Sequence, residues 1–240
     1  MTTSLSLGLA ASIADKGGGA WNPLTMMLLM AGLSLLPFLL LLLTSFVRIV
    51  VVLSILKNAI GASQVPPSFV ITGIALIMTF YVMAPTGQKM WNVVEPEIVG
   101  KAGGDDLAKV DAPRLISVVA KAKEPLREFL LKHSLPKDRQ MFHQLALKMR
   151  PEADRQGLTA EDFLVAAPAF ITAELRRAFE IGFLLFLPFL VVDMVVSNLL
   201  LALGMHMLSP TTVSLPFKLL LFVAVDGWAL LLRGLVESYV

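Results

Sequence analysis

Residues 181–228 read IGFLLFLPFLVVDMVVSNLLLALGMHMLSPTTVSLPFKLLLFVAVDGW and contain three charged side chains. A helix that spans a bilayer needs about 20 apolar residues, so this stretch is long enough for two. Gly204 and Pro210 bracket a polar turn between the two apolar runs. The stretch therefore predicts a helical hairpin formed by residues 181–203 and 213–232.

The first apolar arm precedes this hairpin, the second arm, in the chain. Residues 24–47 contain no charged side chain, and Pro37 predicts a kink inside them. The next helix is predicted over residues 69–83, before Pro85. It would be about 22 Å long, which is shorter than a hydrocarbon core of about 30 Å. This arm, residues 24–86, is interpreted as another hairpin.

The formal charges are concentrated between the two arms. Of 20 basic and 18 acidic residues, 15 and 14 lie between Lys89 and Glu180. Apolar residues recur there at helical spacing, with a break predicted at Pro125, and no strand alternation is present. We predict an all-α membrane protein in which two Pro-kinked apolar helical hairpins flank a charged helical insert. Its segments are a flexible N-terminal tail, the first hairpin, the insert and the second hairpin, at residues 1–23, 24–86, 87–172 and 173–240.

Composition excludes several classes of function. The chain is 56% hydrophobic and has no cysteine, which excludes disulfides, thiol nucleophiles and Cys-ligated metal sites. A net charge of +2 is too small to indicate a nucleic-acid-binding protein. The sequence has no phosphate-binding loop, dinucleotide-binding glycine motif or nucleophile elbow. We therefore predict no catalytic residues, no cofactor and no metal.

Four charged residues lie in the most hydrophobic segments: Arg48, Asp193, Lys218 and Asp226. Each isolated charge in an apolar span costs about 2.5–3.5 kcal/mol on insertion scales, so it normally has a partner or lines a watery cavity. If the second hairpin folds back, Asp193 is the natural partner of Lys218. We expect these charges to pair within or between subunits and to support assembly, and a role in ion or proton passage is the alternative. Neither aspartate has the Gly-x-Gly-Asp setting of an intramembrane protease.

Three imidazoles are present, and one of them lies in the turn of the second hairpin. Met205, His206 and Met207 could bind copper(I), fill gaps in a core, or form a deformable seal, because methionine is both a soft ligand and a flexible apolar side chain. His133 and His143 lie ten residues apart in the charged insert and are predicted to be solvated.

Three blocks of sequence carry a resemblance to a known family. They are AELRRAFEIGFLLFLPFLVVDMVVSNLLLALGMHMLSPTTVSLPFKLLLFVAVDGW (173–228), TSFVRIVVVLSILKNAIGASQVPP (44–67) and MTFYVMAP (78–85). Together they resemble the FliP/SctR family of the type III secretion export apparatus. The sequences VVSN (195–198) and SPTT (209–212) are most similar to those of the injectisome branch, SctR.

The resemblance implies a non-enzymatic subunit of the bacterial inner membrane that protrudes toward the periplasm. It implies a helical pentamer of this chain, assembled with SctS and SctT, and with SctU and SctV, in contact with membrane lipid. Unfolded secreted proteins would be the transported substrates. The turn with Met205, His206 and Met207 would be the gasket of the channel. His206 departs from the three consecutive methionines of flagellar members and makes the middle position more polar.

Two other functions are compatible with the apolar arms. A small ion or metal transporter would use the intramembrane charges and the Met-His-Met turn, but it usually shows matching repeats in its two halves, and no such correspondence is found here. A plain membrane scaffold without a channel is the third reading.

Overall fold

The structure is a computed structural model of the 240-residue chain. It describes residues 27, 30–32, 34, 38, 41–61, 66–98, 112–152, 155 and 157–240, except for the side chains of 112–117 and 119. The chain divides into two units, Met1–Leu40 and Leu41–Val240, and the description below concerns the second. The predicted tail at 1–23 and the predicted kink at Pro37 lie outside the described residues.

The second unit consists of helices joined by turns, and its described residues contain no strand. The all-α class predicted from the sequence is confirmed. The helices, in chain order, are α1 (Phe46–Ile60), α2 (Ser68–Ile98), α3 (Ala112–His133), α4 (Pro136–Met149), α5 (Phe163–Ala202), α6 (Pro210–Ala224) and α7 (Gly227–Glu237).

Long apolar helices occur in both arms. Ser68–Pro96 of α2 and the whole of α5 are long and apolar enough to cross a membrane. Helices α6 and α7 together meet the same criterion, but they are bent by 61° at the break between them. The described part of the chain therefore contains two candidate membrane spans, or three if the bent pair is one span.

Two helices continue through prolines where the sequence predicted that they would stop. The predicted end of α2 at residue 83 is wrong, because α2 passes Pro85 and ends at Ile98. Met83 and Met90, on either side of that proline, pack against the same hydrophobic cluster. The predicted break at Pro125 is also wrong, since α3 continues and buries Leu130. Packing on both sides of Pro85, and on the C-terminal side of Pro125, offsets the backbone hydrogen bond that each proline removes.

The second arm differs from the predicted hairpin at both of its ends. Helix α5 begins at Phe163, 18 residues before the predicted start at 181, so it runs from the charged insert into the apolar arm. The predicted helix 213–232 is instead broken after Ala224, where Asp226 has a left-handed backbone with φ of 51°. The turn between α5 and α6 lies where the sequence predicted it.

Helix α1 forms the centre of the larger hydrophobic core. It packs mainly against α5, with α2 and α6 also in contact. Arg48 and Ile55 of α1 contact Glu174 and Gly182 of α5, in the same order along both helices, so the two helices run parallel. At Gly182 the helices approach closely, because an added Cβ would lie 2.4 Å from the Ile55 Cδ1 atom. Parallel neighbours need a long connection, which α2, α3 and α4 provide.

A second hydrophobic cluster joins the insert to the arms. Phe129 and Leu130 of α3 pack against Phe170 of α5 and against Tyr239, which follows α7. Both predicted limits of the insert, 86/87 and 172/173, fall inside helices α2 and α5. The charged insert thus shares two continuous helices and a core with the apolar arms.

Candidate gate loop and buried charge clusters

The loop between α5 and α6 is held at both ends by helix-terminating structure. After the C-cap Leu203, Gly204 adopts a left-handed conformation with φ of 71°. Its N–H donates to the Leu201 carbonyl at 3.0 Å, and the Met205 N–H donates to the Leu200 carbonyl at 2.9 Å. This pair of bonds is a Schellman motif, which satisfies the last carbonyls of α5. At the other end, Pro210 occupies the first turn of α6, where its missing N–H is not needed.

The side chains of this loop lie outside the fold of the single chain. Met207 is 99% exposed and Met205 is 44% exposed. His206 is also exposed, as are the neighbouring residues from Leu203 to Ser209. The sequence left three roles open for these residues, and one of them was packing in a core. These exposures do not support packing in the core of this chain. The loop presents two flexible thioethers and one imidazole on a fixed base.

Arg48 lies in a fully buried ion pair with Glu174. Both side chains are 0% exposed. The Arg48 Nε donates to Glu174 Oε2 at 2.9 Å, and Arg48 Nη2 donates to Oε1. The remaining nitrogen, Nη1, donates to the Ser238 Oγ at 2.7 Å and to the Ser238 carbonyl at 3.3 Å. This geometry joins the start of α1, the first half of α5 and the segment after α7 through one guanidinium.

Tyr239 closes the same cluster from the other side. Its hydroxyl donates to Glu174 Oε2, and the Arg48 guanidinium carbon lies 3.8 Å from its ring centroid. Burial, followed by the nearby Glu174 carboxylate, raises the pKa of Tyr239, which stays neutral. Arg177 lies 3.5 Å from Glu174 Oε1 and donates to the His133 carbonyl at 2.9 Å.

His133 is not solvated, so that prediction is wrong. It is 7% exposed, with its ring centroid 4.6 Å from that of Phe129 and 5.2 Å from that of Tyr239. Burial first, and then the positive charges of Lys132, Arg48 and Arg177, lower the pKa of His133 to about 4. The cluster therefore holds a neutral imidazole beside a fixed guanidinium.

Lys218 and Asp193 form a second ion pair within the chain, as the folded-back hairpin predicted. The Lys218 Nζ donates to Asp193 Oδ2 at 2.6 Å and to the Ala59 carbonyl at 3.1 Å. The Ser214 hydroxyl donates to Asp193 Oδ1 at 2.5 Å. The ammonium thus satisfies a carbonyl at the C-terminal end of α1, where the helix dipole favours a positive charge. This second cluster joins α1, α5 and α6.

The fourth charge, Asp226, lies at the break between α6 and α7. Its side chain is exposed and forms no cap hydrogen bond to α7. Its carbonyl accepts a hydrogen bond from the Leu230 N–H at 3.1 Å. In the described residues, no group of three or more His, Asp or Glu side chains is arranged to hold a metal ion.

Comparison with known proteins places this architecture in a family. The FliP family model matches residues 29–235. The chain belongs to the FliP family. That match includes Arg48, Asp193, Lys218, Asp226 and the Met205–Met207 loop, and it confirms the resemblance drawn from the three sequence blocks.

FliP family relatives include proteins of virulence and of flagellar systems. Pathogenicity-related ORF2 of Xanthomonas campestris pv. glycines is 45% identical over 207 residues, which are 86% of this chain and 92% of the relative. The hypersensitivity response secretion protein HrcR of Ralstonia nicotianae is 42% identical, covering 90% of this chain and 96% of HrcR. The flagellar biosynthetic protein FliP of Pectobacterium carotovorum subsp. carotovorum is 42% identical, covering 97% and 85%. By their names, these relatives belong to pathogenicity, to secretion in the hypersensitivity response and to flagellar biosynthesis.

Within this FliP family chain, sequence reasoning found Arg48 but missed its partners. Glu174 lies in the charged run AELRRAFE, so its charge does not stand out there as the charge of Arg48 does in its apolar run. A signal is nevertheless present: Phe170 and Ala178, four residues before and after Glu174 on the same helix face, are apolar, and the structure buries both completely. Tyr239 gave no comparable signal, because its position depends on how α7 folds back.

Proposed function

We propose that this chain is a non-enzymatic core subunit of a type III protein export gate, and that its Met205–His206–Met207 loop closes the resting channel. The observation that carries the proposal is the contrast between the fixed backbone of this loop and its exposed side chains. Its backbone is fixed by a Schellman motif, whereas Met207 is almost completely exposed in the single chain. A loop built in this way has its contacts outside its own chain.

The chemistry of the loop suits a seal for unfolded protein substrates. Such a channel must exclude small solutes at rest and admit extended chains of many sequences. Methionine is unbranched and polarizable, so it repacks around different shapes, as it does on promiscuous binding surfaces. In an assembly of copies around the channel, one loop from each subunit would meet the others near the common axis. His206 would place an imidazole ring among these thioethers.

The same proposal includes partners and location. The chain would assemble with other copies of itself, a pentamer in the family, and with SctS- and SctT-type subunits, and with SctU and SctV. It would lie in the bacterial inner membrane, and the insert would face the periplasm. The exposed apolar side chains of α5 and α6, such as Phe183, Leu184 and Leu220, would contact lipid or these partners.

The decisive experiment replaces Met205, His206 and Met207 together by alanine. Cells that produce this variant with its partner subunits should leak small solutes, because the bulky side chains are removed from every copy. The complex should still assemble, since the Gly204 and Pro210 caps are retained. Single alanine variants should leak less, because the remaining methionines repack. A tight membrane with the triple variant would refute the gate.

The same variants separate the gate from a metal transporter. If the turn bound copper(I), His206→Ala alone would abolish binding and leave the leak unchanged. Copper binding by the purified complex is therefore measured beside solute permeability. Leu203→Ala, which truncates an exposed residue outside the three positions, serves as the matched control and should remain tight.

The side of the membrane occupied by the insert can be tested with introduced cysteines, because the chain has none of its own. Lys132 is exposed at the end of α3. A Lys132→Cys variant should react with a membrane-impermeant thiol reagent added from the periplasmic side. Reaction only after the cytoplasmic side is opened would place the insert in the cytoplasm.

A further inference from the structure

Most of the charged residues described at positions 41–86 and 181–240 form an ion pair within the chain. Arg48 pairs with Glu174, Lys218 with Asp193, and Arg233 with Glu237 at 2.7 Å. In these two described ranges, Lys57 and Asp226 are the charged residues that form no intrachain ion pair. They have opposite signs.

Asp226 carries its charge on an apolar surface. Its neighbours Val223, Val225 and Leu230 are 73%, 49% and 62% exposed. The Asp226 side chain does not cap α7, because its left-handed backbone differs from the extended backbone of a capping residue. Its left-handed backbone, uncommon for a residue other than glycine, fixes the carboxylate at a sharp bend. An unpaired carboxylate on a surface that faces lipid or protein needs a cationic partner.

Lys57 carries the opposite charge and also has no carboxylate partner among the described residues of its own chain. It lies in the last turn of α1, and its Nζ donates a hydrogen bond to the Ser68 Oγ at 3.1 Å. A hydroxyl group is neutral, so this contact positions the ammonium without balancing its charge.

We propose that Asp226 of one copy of this chain binds Lys57 of the neighbouring copy. The inference rests on the proposed function, in which copies of the chain assemble around a channel. A ring joined head to tail uses two different patches on each subunit, and these patches must be complementary. The α6–α7 bend supplies an anionic patch with an apolar border, and the end of α1 supplies the cation. Both unmatched charges then find partners at each contact between neighbouring copies.

Proximity can be tested by cross-linking, because introduced cysteines are the only thiols in the chain. Lys57→Cys and Asp226→Cys are placed on separate, differently tagged copies that are produced together with the partner subunits. A short bis-maleimide should join the two tags. Because each copy has one cysteine, the product can only be intermolecular. Two differently tagged copies that both carry Lys57→Cys should give no product. If the two cysteine variants assemble into complexes of wild-type size but give no cross-link between the two tags, the pairing is refuted.

Charge dependence is tested by a double-mutant cycle on self-association in mild detergent. Asp226→Asn removes the charge, and asparagine tolerates the left-handed backbone, so the fold is preserved. It should weaken self-association about tenfold, as a close charge pair between proteins does, and so should Lys57→Met. Asp226→Lys combined with Lys57→Asp should restore association relative to Asp226→Lys alone. The strain of a left-handed lysine is common to both variants and cancels in the cycle.

Glu180→Gln is the control, since Glu180 is an exposed carboxylate on α5 whose charge already acts on Arg176 of its own chain. It should leave association unchanged. Equal association of wild type, Asp226→Asn and Lys57→Met would refute the pairing. Secretion and solute leak are recorded in the same cells. Wild-type complexes that secrete protein but show neither cross-link nor charge dependence would refute the pairing while the export function stands.

Discussion

Removing the charge of Glu174 should destabilise the fold more than removing any exposed charge. Glu174→Gln keeps the shape of the side chain but leaves the Arg48 guanidinium buried with only neutral partners, the carbonyl and hydroxyl of Ser238. Breaking a fully buried pair by removing one partner costs about 3–5 kcal/mol, because the other charge stays desolvated. Both side chains are 0% exposed, so water cannot solvate the charge that remains on Arg48.

The free energy of unfolding can be measured on the chain purified in mild detergent, with denaturant titration followed by circular dichroism. The control is Glu237→Gln, which breaks an exposed pair with Arg233 and should cost less than about 1 kcal/mol. Replacing the cluster as a unit, by Arg48→Met with Glu174→Leu and Tyr239→Phe, should restore stability to within about 1 kcal/mol of wild type, because both fully buried charges are removed together. Arg177, which loses Glu174, is partly exposed and keeps its hydrogen bond to the His133 carbonyl. A loss below about 1 kcal/mol for Glu174→Gln would refute the reasoning.

Three further predictions concern packing, the second ion pair and pH. Gly182→Ala should destabilise the α1–α5 contact by about 1–3 kcal/mol through overpacking, and Ile55→Val, which removes the Cδ1 atom in the way, should recover part of it in the same denaturant assay. Asp193→Asn should lower both stability and the yield of assembled complex, because it leaves the Lys218 ammonium without a counter-charge; unchanged yield on native gels would contradict an assembly role. The lowered pKa of His133 means that the unfolded chain binds the proton more readily, so stability should be complete above about pH 6.5 and fall as the pH drops toward 4. His133→Phe should flatten that part of the profile, and a profile identical to wild type would exclude His133 as its source.

The sequence was sufficient to predict contacts between neighbouring elements. Asp193 and Lys218 lie in apolar runs on either side of a short turn, so each charge indicated the other. Gly204 and Pro210 marked the loop itself, because one allows a left-handed C-cap and the other suits a helix start. These features depend on local chemistry, which the sequence carries directly.

The features that the sequence did not predict depend on distant packing. Helix α2 continues through Pro85 because side chains on both sides of the proline reach a core made by α3 and α5. The partner of Arg48 lies 126 positions away, in a stretch whose other charged side chains are partly or fully exposed. Asp226 breaks the last helix through a backbone conformation that no aspartate predicts by itself.

The parallel pairing of α1 with α5 has a consequence for biosynthesis. Arg48 and Glu174 are separated by 126 positions, and ribosomes add about 5–20 residues per second. The guanidinium therefore exists for about 6–25 s before its carboxylate has been made. A buried guanidinium without its counter-charge is unfavourable, so α1 reaches its stable buried position only when α5 arrives beside it. The two helices are in this sense one folding unit, although half of the chain is synthesised between them.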